Sequence, residues 1–112
     1  MRKVNLKSLR QIFKACSDDT RLRIINVLDE KELTVKDICV VLKVSQPTIS
    51  KHLMRLRLLK LVFDRRKGNS VFYRRNKDLN SPQCRITDFI VSQFRATKTF
   101  ASDKKATRRT KR

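Results

Sequence analysis

The segment from Thr34 to Leu59 constrains the fold most, because its pattern indicates two helices joined by a sharp turn. Ser45 is a favourable N-cap for the second helix. Pro47 falls in that helix's first turn, where its missing N–H removes no hydrogen bond. The apolar residues of the second helix recur at i, i+4 and i+7, which predicts a buried stripe formed by Ile49, Leu53 and Leu56.

The opposite face of the second helix is polar and basic. Its first turns carry small hydrogen-bonding side chains instead of the Glu and Lys of a plain surface helix. A short helix, a tight turn and a second helix of this kind predict a helix-turn-helix whose second helix can enter a DNA major groove. An ordinary amphipathic helix pair with a solvated basic face is the alternative. The outer face comprises Gln46, Thr48, Ser50, Lys51, His52 and Arg55.

The charge balance favours nucleic acid as the partner. The chain has 112 residues, with 29 Lys and Arg against 10 Asp and Glu, for a formal net charge of +19. So much positive charge opposes compaction unless a polyanion shares it, so double-stranded DNA is the first partner class and an anionic membrane surface the second. No signal peptide or membrane span is evident, so we expect a cytoplasmic protein without membrane association.

The hydrophobic period changes after Lys60. Residues 61–63 and 71–73 are short β-rich runs, and Gly68-Asn69 between them is a good turn pair. This pattern predicts a β-hairpin, or wing, directly after the recognition-type helix. The cations expected at its tip have no role in a core, which favours phosphate or minor-groove contact over a plain two-stranded edge. These cations are Arg65, Arg66 and Lys67.

Further apolar periods predict helices at about residues 6–15, 19–30 and 82–97. The first and last helices would keep apolar stripes partly uncovered in so small a domain, which favours a homodimer joined through them; filling by the monomer's own core is the alternative. The predicted fold is mainly α with a small β-hairpin: a winged helix-turn-helix of five helices plus a wing, over residues 1–98.

Residues 99–112 are predicted to form a basic disordered tail. Half of the residues in the terminal segment ASDKKATRRTKR are Lys or Arg, and none is an apolar residue larger than alanine. Such a tail could add phosphate contacts that are independent of sequence, or it could act as a solvated solubility tail. Composition alone supports both uses equally.

Several segments resemble the ArsR/SmtB family of bacterial winged-helix repressors. Residues 15–25, ACSDDTRLRII, are similar to the start of the family's second helix, and residues 32–38, ELTVKDI, to the start of its third. Residues 44–56, VSQPTISKHLMRL, resemble its recognition helix almost throughout, and DRRKGNSVFYR resembles its wing. The resemblance covers about residues 6–95. It implies a homodimeric repressor of transcription that binds an imperfect inverted repeat in an operator.

The resemblance also implies roles for individual residues. Base edges and nearby phosphates would be met by Ser45, Gln46, Thr48 and Ser50. The DNA backbone would be met by Lys51, His52 and Arg55, with support of the helix as the alternative role of His52. The flanking duplex would be held by Arg65, Arg66 and Lys67.

In relatives, an inducer such as a thiophilic metal ion, arsenite or a reactive sulfur species weakens DNA binding. This chain has Thr34 and Lys36 where arsenite- and cadmium-type relatives place two cysteines, and its last helix offers Asp88 but no His, so both known kinds of metal site look absent. We therefore expect no metal and no cofactor, and the inducer is unknown. A Cys16–Cys84 pair between the first and last helices is the remaining candidate for thiol sensing.

Two other classes of function are alternatives to a sequence-specific repressor. A sequence-independent architectural protein of the nucleoid type would also explain the +19 charge, and its DNA binding would fall steeply as salt rises. An enzyme is not expected, because the sequence shows no nucleophile–base pair, no Gly-rich phosphate loop and no paired carboxylates.

Overall fold

Side-chain caps mark the starts of the first two helices. In the computed structural model, which describes residues 5–110, the Asn5 side chain accepts the Ser8 N–H at 2.9 Å and the Asp18 side chain accepts the Arg21 N–H at 3.0 Å. The elements are α1 (Leu6–Cys16), α2 (Asp19–Glu30), β1 (Leu33–Thr34), α3 (Val35–Leu42), α4 (Gln46–Leu58), β2 (Val62–Lys67), β3 (Ser70–Arg75), α5 (Pro82–Gln93) and α6 (Lys98–Arg108).

The start of α3 is fixed by a capping box. The Thr34 hydroxyl accepts the Asp37 N–H at 3.1 Å, and the Asp37 carboxylate accepts the Thr34 N–H at 3.0 Å. The Ser45 side chain occupies the N-cap position of α4 but makes no bond to the helix backbone. Its hydroxyl donates to the Thr48 hydroxyl at 3.0 Å instead, so the expected side-chain cap is replaced by a contact between two polar side chains.

One apolar core joins α2, α3, α4 and the sheet. The predicted stripe of α4 is confirmed, because Ile49, Leu53 and Leu56 are all fully buried. Burial of each such side chain contributes about 1.5–3 kcal/mol, so this stripe holds α4 firmly against the domain. Its opposite face is thereby turned toward solvent.

The predicted wing is confirmed and is longer than expected. Strands β2 and β3 pair antiparallel from Val62↔Arg75 to Lys67↔Ser70, and Gly68 takes the left-handed φ of +62° that the turn requires. The third strand, β1, was not predicted; it pairs through Leu33 with β3, giving the order β1-β3-β2. Two residues are too few to show a strand period in a sequence.

The predicted disordered tail is wrong for the described part of residues 99–112. A sixth helix, α6, forms there and packs along α2 and α3, so residues 5–110 contain six helices and not five. Phe100 and Thr107 are buried, and the Asn26 side-chain amide donates to the Phe100 carbonyl at 3.1 Å. Composition predicted disorder because this segment has few apolar residues. In the structure, polar and charged side chains of α2 bind polar groups of α6 and hold the helix in place. Residues 1–4 and 111–112 lie outside the described residues.

Among residues 5–110, no helix is both long enough and apolar enough to span a bilayer.

Candidate nucleic-acid interface

The turn between α3 and α4 is short and closed by the backbone. Lys43 adopts a left-handed conformation with φ 59° and ψ 45°, and its N–H donates to the Cys39 carbonyl at 2.8 Å. The Val44 N–H donates to the same carbonyl at 3.3 Å. These bonds end α3 and direct the chain into α4 with no intervening loop, as a helix-turn-helix requires.

From its N-terminus to Arg55, α4 presents a polar and basic surface. Four of the predicted DNA-reading residues are exposed on the helix itself, and Thr48 is half-buried beside Ser45. The helix N-terminus adds the positive end of the helix dipole, which favours a nearby phosphate. The exposed residues on the helix are Gln46, Ser50, Lys51 and Arg55.

His52 is tied to α2 and is half-buried. An Nη of Arg21 lies 3.3 Å from Nδ1 of His52, and Nε2 of His52 lies 3.9 Å from the Asp18 carboxylate. Burial lowers the pKa of His52; the charges of Arg21, Lys51 and Arg55 act in the same direction, and Asp18 opposes them. The imidazole is therefore mainly neutral at pH 7, which supports the alternative role of His52 in holding the helix.

Arg21 is a residue that sequence reasoning missed. Besides facing His52, its guanidinium donates to the Ala15 carbonyl at 2.8 Å and to the Lys14 carbonyl at 3.3 Å. It therefore links the end of α1 to the flank of α4. The quoted segment DTRLRII contained Arg21, but nothing in its spacing pointed to a contact with a residue 31 positions away.

The three predicted wing cations differ in their surroundings. Arg65 is paired with Glu32 at 2.8 Å and lies over the Phe72 ring at 6.0 Å, and the hydrogen bond that it donates to the Glu32 carboxylate raises the pKa of Arg65. Arg66 and Lys67 are exposed, and in the described part of the chain neither is assigned an ion pair. The structure thus makes Arg66 and Lys67 the more accessible cations of the wing.

Arg74 is a further cation of the wing that was not predicted from the sequence. It is exposed on β3, and its guanidinium lies 5.3 Å from the centre of the Phe63 ring. Arg74 lies far from the hairpin tip in the sequence pattern, and the strand pairing places it on the wing beside Phe63. The ring contact holds the charge outward without neutralising it.

Helices α1 and α5 expose large apolar side chains. The exposed fractions are 56% for Phe13 on α1, 62% for Phe89 on α5 and 54% for Phe94 at the end of α5. The monomer's own core therefore does not fill the two stripes. Large exposed aromatic side chains on the two predicted interface helices are what an association surface would present.

The two cysteines of the predicted thiol pair are not joined by a disulfide in the structure. Both are free thiols: Cys84 is buried near the start of α5, with its Sγ 3.9 Å from the Lys60 carbonyl, whereas Cys16 lines a groove with Ile90 and Phe94. Thiol sensing by Cys16 and Cys84 stays a prediction.

Comparison with known proteins identifies relatives. Residues 18–63 match the family model described as "Bacterial regulatory protein, arsR family". The arsenical resistance operon repressor of Escherichia coli (strain K12) is 43% identical over 79 residues, which are 70% of this chain and 68% of that protein. The crystal structure of the transcriptional repressor BigR from Xylella fastidiosa superposes with a TM-score of 0.71 at 25% identity, covering 82% of this chain and 88% of that one.

A solution structure is also similar. The homodimeric winged helix-turn-helix DNA-binding domain Mb0332 from Mycobacterium bovis, described as a possible ArsR-family transcriptional regulator, has a TM-score of 0.67 at 26% identity. That match covers 80% of this chain and 82% of that one.

The fold and the basic face of α4 define a winged helix-turn-helix regulator that binds DNA. The chain belongs to the arsR family of bacterial regulatory proteins. The predicted family, the mainly helical winged fold and a sequence-specific DNA-binding repressor of transcription are thereby confirmed. The family is one of transcriptional regulators and not of enzymes.

Proposed function

We propose that this protein represses transcription as a homodimer that reads an inverted-repeat operator with α4 and holds the flanking duplex with its wing. The observation that carries the proposal is the exposed, polar N-terminal face of α4, presented on a stripe of three buried side chains. A rigid helix with a hydrogen-bonding leading end is suited to base readout in the major groove.

The residues divide into reading and holding groups. Gln46 and Thr48 lie in the first turn of α4, where a recognition helix meets base edges, and Ser45 and Ser50 lie close to them. Lys51 and Arg55 are exposed on the same helix and would contact the phosphate backbone of the DNA. The wing adds phosphate contacts through Arg66 and Lys67, with Arg65 more restricted by its pairing with Glu32.

The exposed aromatic residues of α1 and α5 support the dimer. A second copy would cover Phe13, Phe89 and Phe94 and would remove them from water. The similar Mycobacterium bovis domain is homodimeric. A dyad that joins α1 and α5 would place the two α4 helices about one DNA turn apart, roughly 34 Å, for reading successive major grooves.

Thiol sensing through a Cys16–Cys84 bond is not part of this proposal. Burial raises the pKa of the Cys16 thiol, with the Arg21 charge opposing it, and a raised pKa disfavours the reactive thiolate. If the doubly substituted Cys16→Ser, Cys84→Ser protein responds to oxidants, persulfide and soft metal ions as the wild type does, neither thiol is a sensor.

Selection of bound duplexes from a randomised library at about 0.15 M salt tests the proposed function, because weak phosphate-only binding is largely screened there. We expect an inverted repeat with half-sites about 10 base pairs apart. Recovery of no consensus would instead support the sequence-independent architectural function, which the +19 charge favours.

Substitutions then separate the roles of individual residues. Gln46→Ala and Thr48→Ala should weaken operator binding and relax base preference, whereas Lys51→Ala should weaken binding to all duplexes alike. Lys105→Ala is a matched control, because it removes the same charge from an exposed position on α6. Equal losses on operator and random DNA for Gln46→Ala, Thr48→Ala and Lys51→Ala would contradict the base-reading assignment.

A further inference from the structure

The unpredicted helix α6 is connected to the helix-turn-helix through one arginine. Arg23 on α2 donates to both carboxylate oxygens of Asp103 on α6, from Nε at 2.7 Å and from an Nη at 3.0 Å. The same Nη donates to the carbonyl of Leu42 at 3.2 Å. A single guanidinium therefore joins α6, α2 and the end of α3.

Leu42 is a sensitive position for such a contact. It is the last residue of α3, directly before Lys43, whose left-handed backbone makes the turn into α4. Carbonyls in the last turn of a helix have no partner within that helix and must find one elsewhere. The Arg23 bond supplies that partner, so the position of Arg23 affects the direction in which α4 leaves the turn.

Asp103 determines the position of Arg23. A carboxylate that accepts two parallel N–H bonds restricts a guanidinium to one plane and orientation, which a point charge would not do. The Asp103 side chain is only 7% exposed, so little solvent competes for it. Loss of Asp103 would free Arg23 to rotate away from the Leu42 carbonyl.

Several further contacts fix the position of α6 against α2. Phe100 is buried and its carbonyl accepts the Asn26 amide, Lys104 pairs with Asp29 at 3.0 Å, and Arg108 pairs with Glu30 at 3.1 Å. These contacts run along the length of α2. They keep Asp103 facing Arg23, and they place α6 as a support behind the helix-turn-helix.

We propose that α6 positions the recognition helix, with Asp103 and Arg23 as positioning residues that need not touch DNA. The inference rests on the proposed operator binding by α4. It assigns to the C-terminal helix a role in operator specificity, in addition to whatever its positive charge contributes to DNA affinity. The geometry of three contacts to one side chain carries the inference.

Charge makes the test discriminating. Asp103→Asn raises the net charge by one, so electrostatics alone would strengthen binding to every duplex. The positioning role instead predicts that affinity for the selected operator falls by about tenfold, while affinity for a random duplex of equal length is unchanged or rises. Asp78→Asn is the matched control, because it makes the same charge change in an exposed loop, and its ratio of operator to random affinity should equal that of wild type.

A second variant removes the ambiguity of misfolding. Arg23→Lys keeps the charge but cannot hold both Asp103 and the Leu42 carbonyl, so it should lower operator affinity to a similar degree. In the double variant the two losses should not add, since both break one chain of contacts. Asp103→Glu, which keeps the carboxylate, should restore part of the operator affinity.

Unequal outcomes identify what has failed. If Asp103→Asn changes operator and random affinity by the same factor, or if the losses of Asp103→Asn and Arg23→Lys add fully, the positioning role is overturned. If wild type itself does not distinguish operator from random DNA, the proposed function fails first, and the positioning role fails with it.

Discussion

Helices α4 and α6 are both short, basic and solvent-facing on one side, but they are attached to the domain by different forces. Helix α4 is held by the buried apolar residues Ile49, Leu53 and Leu56. Helix α6 buries Phe100 together with charged and polar side chains, and Asp103 is the one that reaches toward the helix-turn-helix. The comparison shows that one small domain uses apolar packing for the DNA-reading helix and ionic docking for its support.

The two kinds of attachment differ in strength and in response to conditions. A buried leucine contributes about 1.5–3 kcal/mol regardless of ionic strength, whereas an exposed ion pair such as Arg108–Glu30 contributes about 0–1 kcal/mol and weakens in salt. Helix α6 should therefore detach more readily than α4. Salt should loosen the exposed pairs of α6 first, because the Arg23–Asp103 pair is more buried and is screened much less.

The largest expected effect is on the apolar attachment. Leu53→Ala should lower the free energy of unfolding by about 3 kcal/mol, because it leaves a cavity under α4. Denaturant unfolding measures this loss. The neighbouring substitution Met54→Ala, at a residue that is 64% exposed, should change stability by less than about 0.5 kcal/mol. Similar losses for both variants would contradict apolar attachment of α4.

The next effect concerns the ionic cluster under α6. Asp29 accepts from Lys104 and from Arg75, whose side chain is only 1% exposed. Asp29→Asn should lower the free energy of unfolding by about 2 kcal/mol. This loss is smaller than that from breaking a fully buried ion pair, because Asp29 is partly exposed. Asp88 pairs with the same Arg75 but is more exposed. Asp88→Asn should therefore lower the free energy of unfolding by less than about 1 kcal/mol.

The same cluster predicts a pH dependence. Burial raises the pKa of Asp29, but the combined effect of Lys104, Arg75 and Lys77 in lowering it is larger. The pKa of Asp29 therefore lies below its usual value. The resulting stability is present above the unfolded pKa of about 4 and is lost as pH falls through the folded value. Unfolding measured between about pH 5 and pH 2 should show a shallower loss of stability for Asp29→Asn than for wild type.

A smaller effect separates the two helices directly. Raising NaCl from about 0.05 to 0.5 M should reduce amide-exchange protection in α6 by a few-fold and leave α4 unchanged, because the salt screens ion pairs and not apolar contacts. Residue-resolved amide hydrogen exchange measures the protection of α6 at residues 100–108 and of α4 at residues 49–56. Equal changes in the two helices would show that α6 is held as α4 is.

The smallest effect concerns the ionisable flank of α4. Because burial lowers the pKa of His52, the unfolded chain binds this proton more readily than the folded one. The free energy of unfolding should therefore decrease as pH falls below about 6.5, and His52→Gln should remove that part of the dependence. Titration of the imidazole by NMR gives the pKa; a value above that of a free histidine would contradict burial against α2.

The DNA-reading face was predictable because its signals are local. The cap position of Ser45, Pro47 in the first turn and the apolar stripe all lie within one helix, and the structure presents the helix as that pattern predicts. The wing was predictable for the same reason, since Gly68 marks its turn. Helix α6 was not, because its sequence lacks the apolar period by which helices are recognised.

The sequence by itself determined the family, the helix-turn-helix and the wing, since caps, turns and apolar periods are properties of neighbouring residues. Tertiary structure alone decided that α6 is ordered and that Arg23 pairs with Asp103, which lies 80 positions away in the sequence. An ion pair between distant helices leaves no period in either segment. It forms only when the apolar core has brought both helices to one side of the domain.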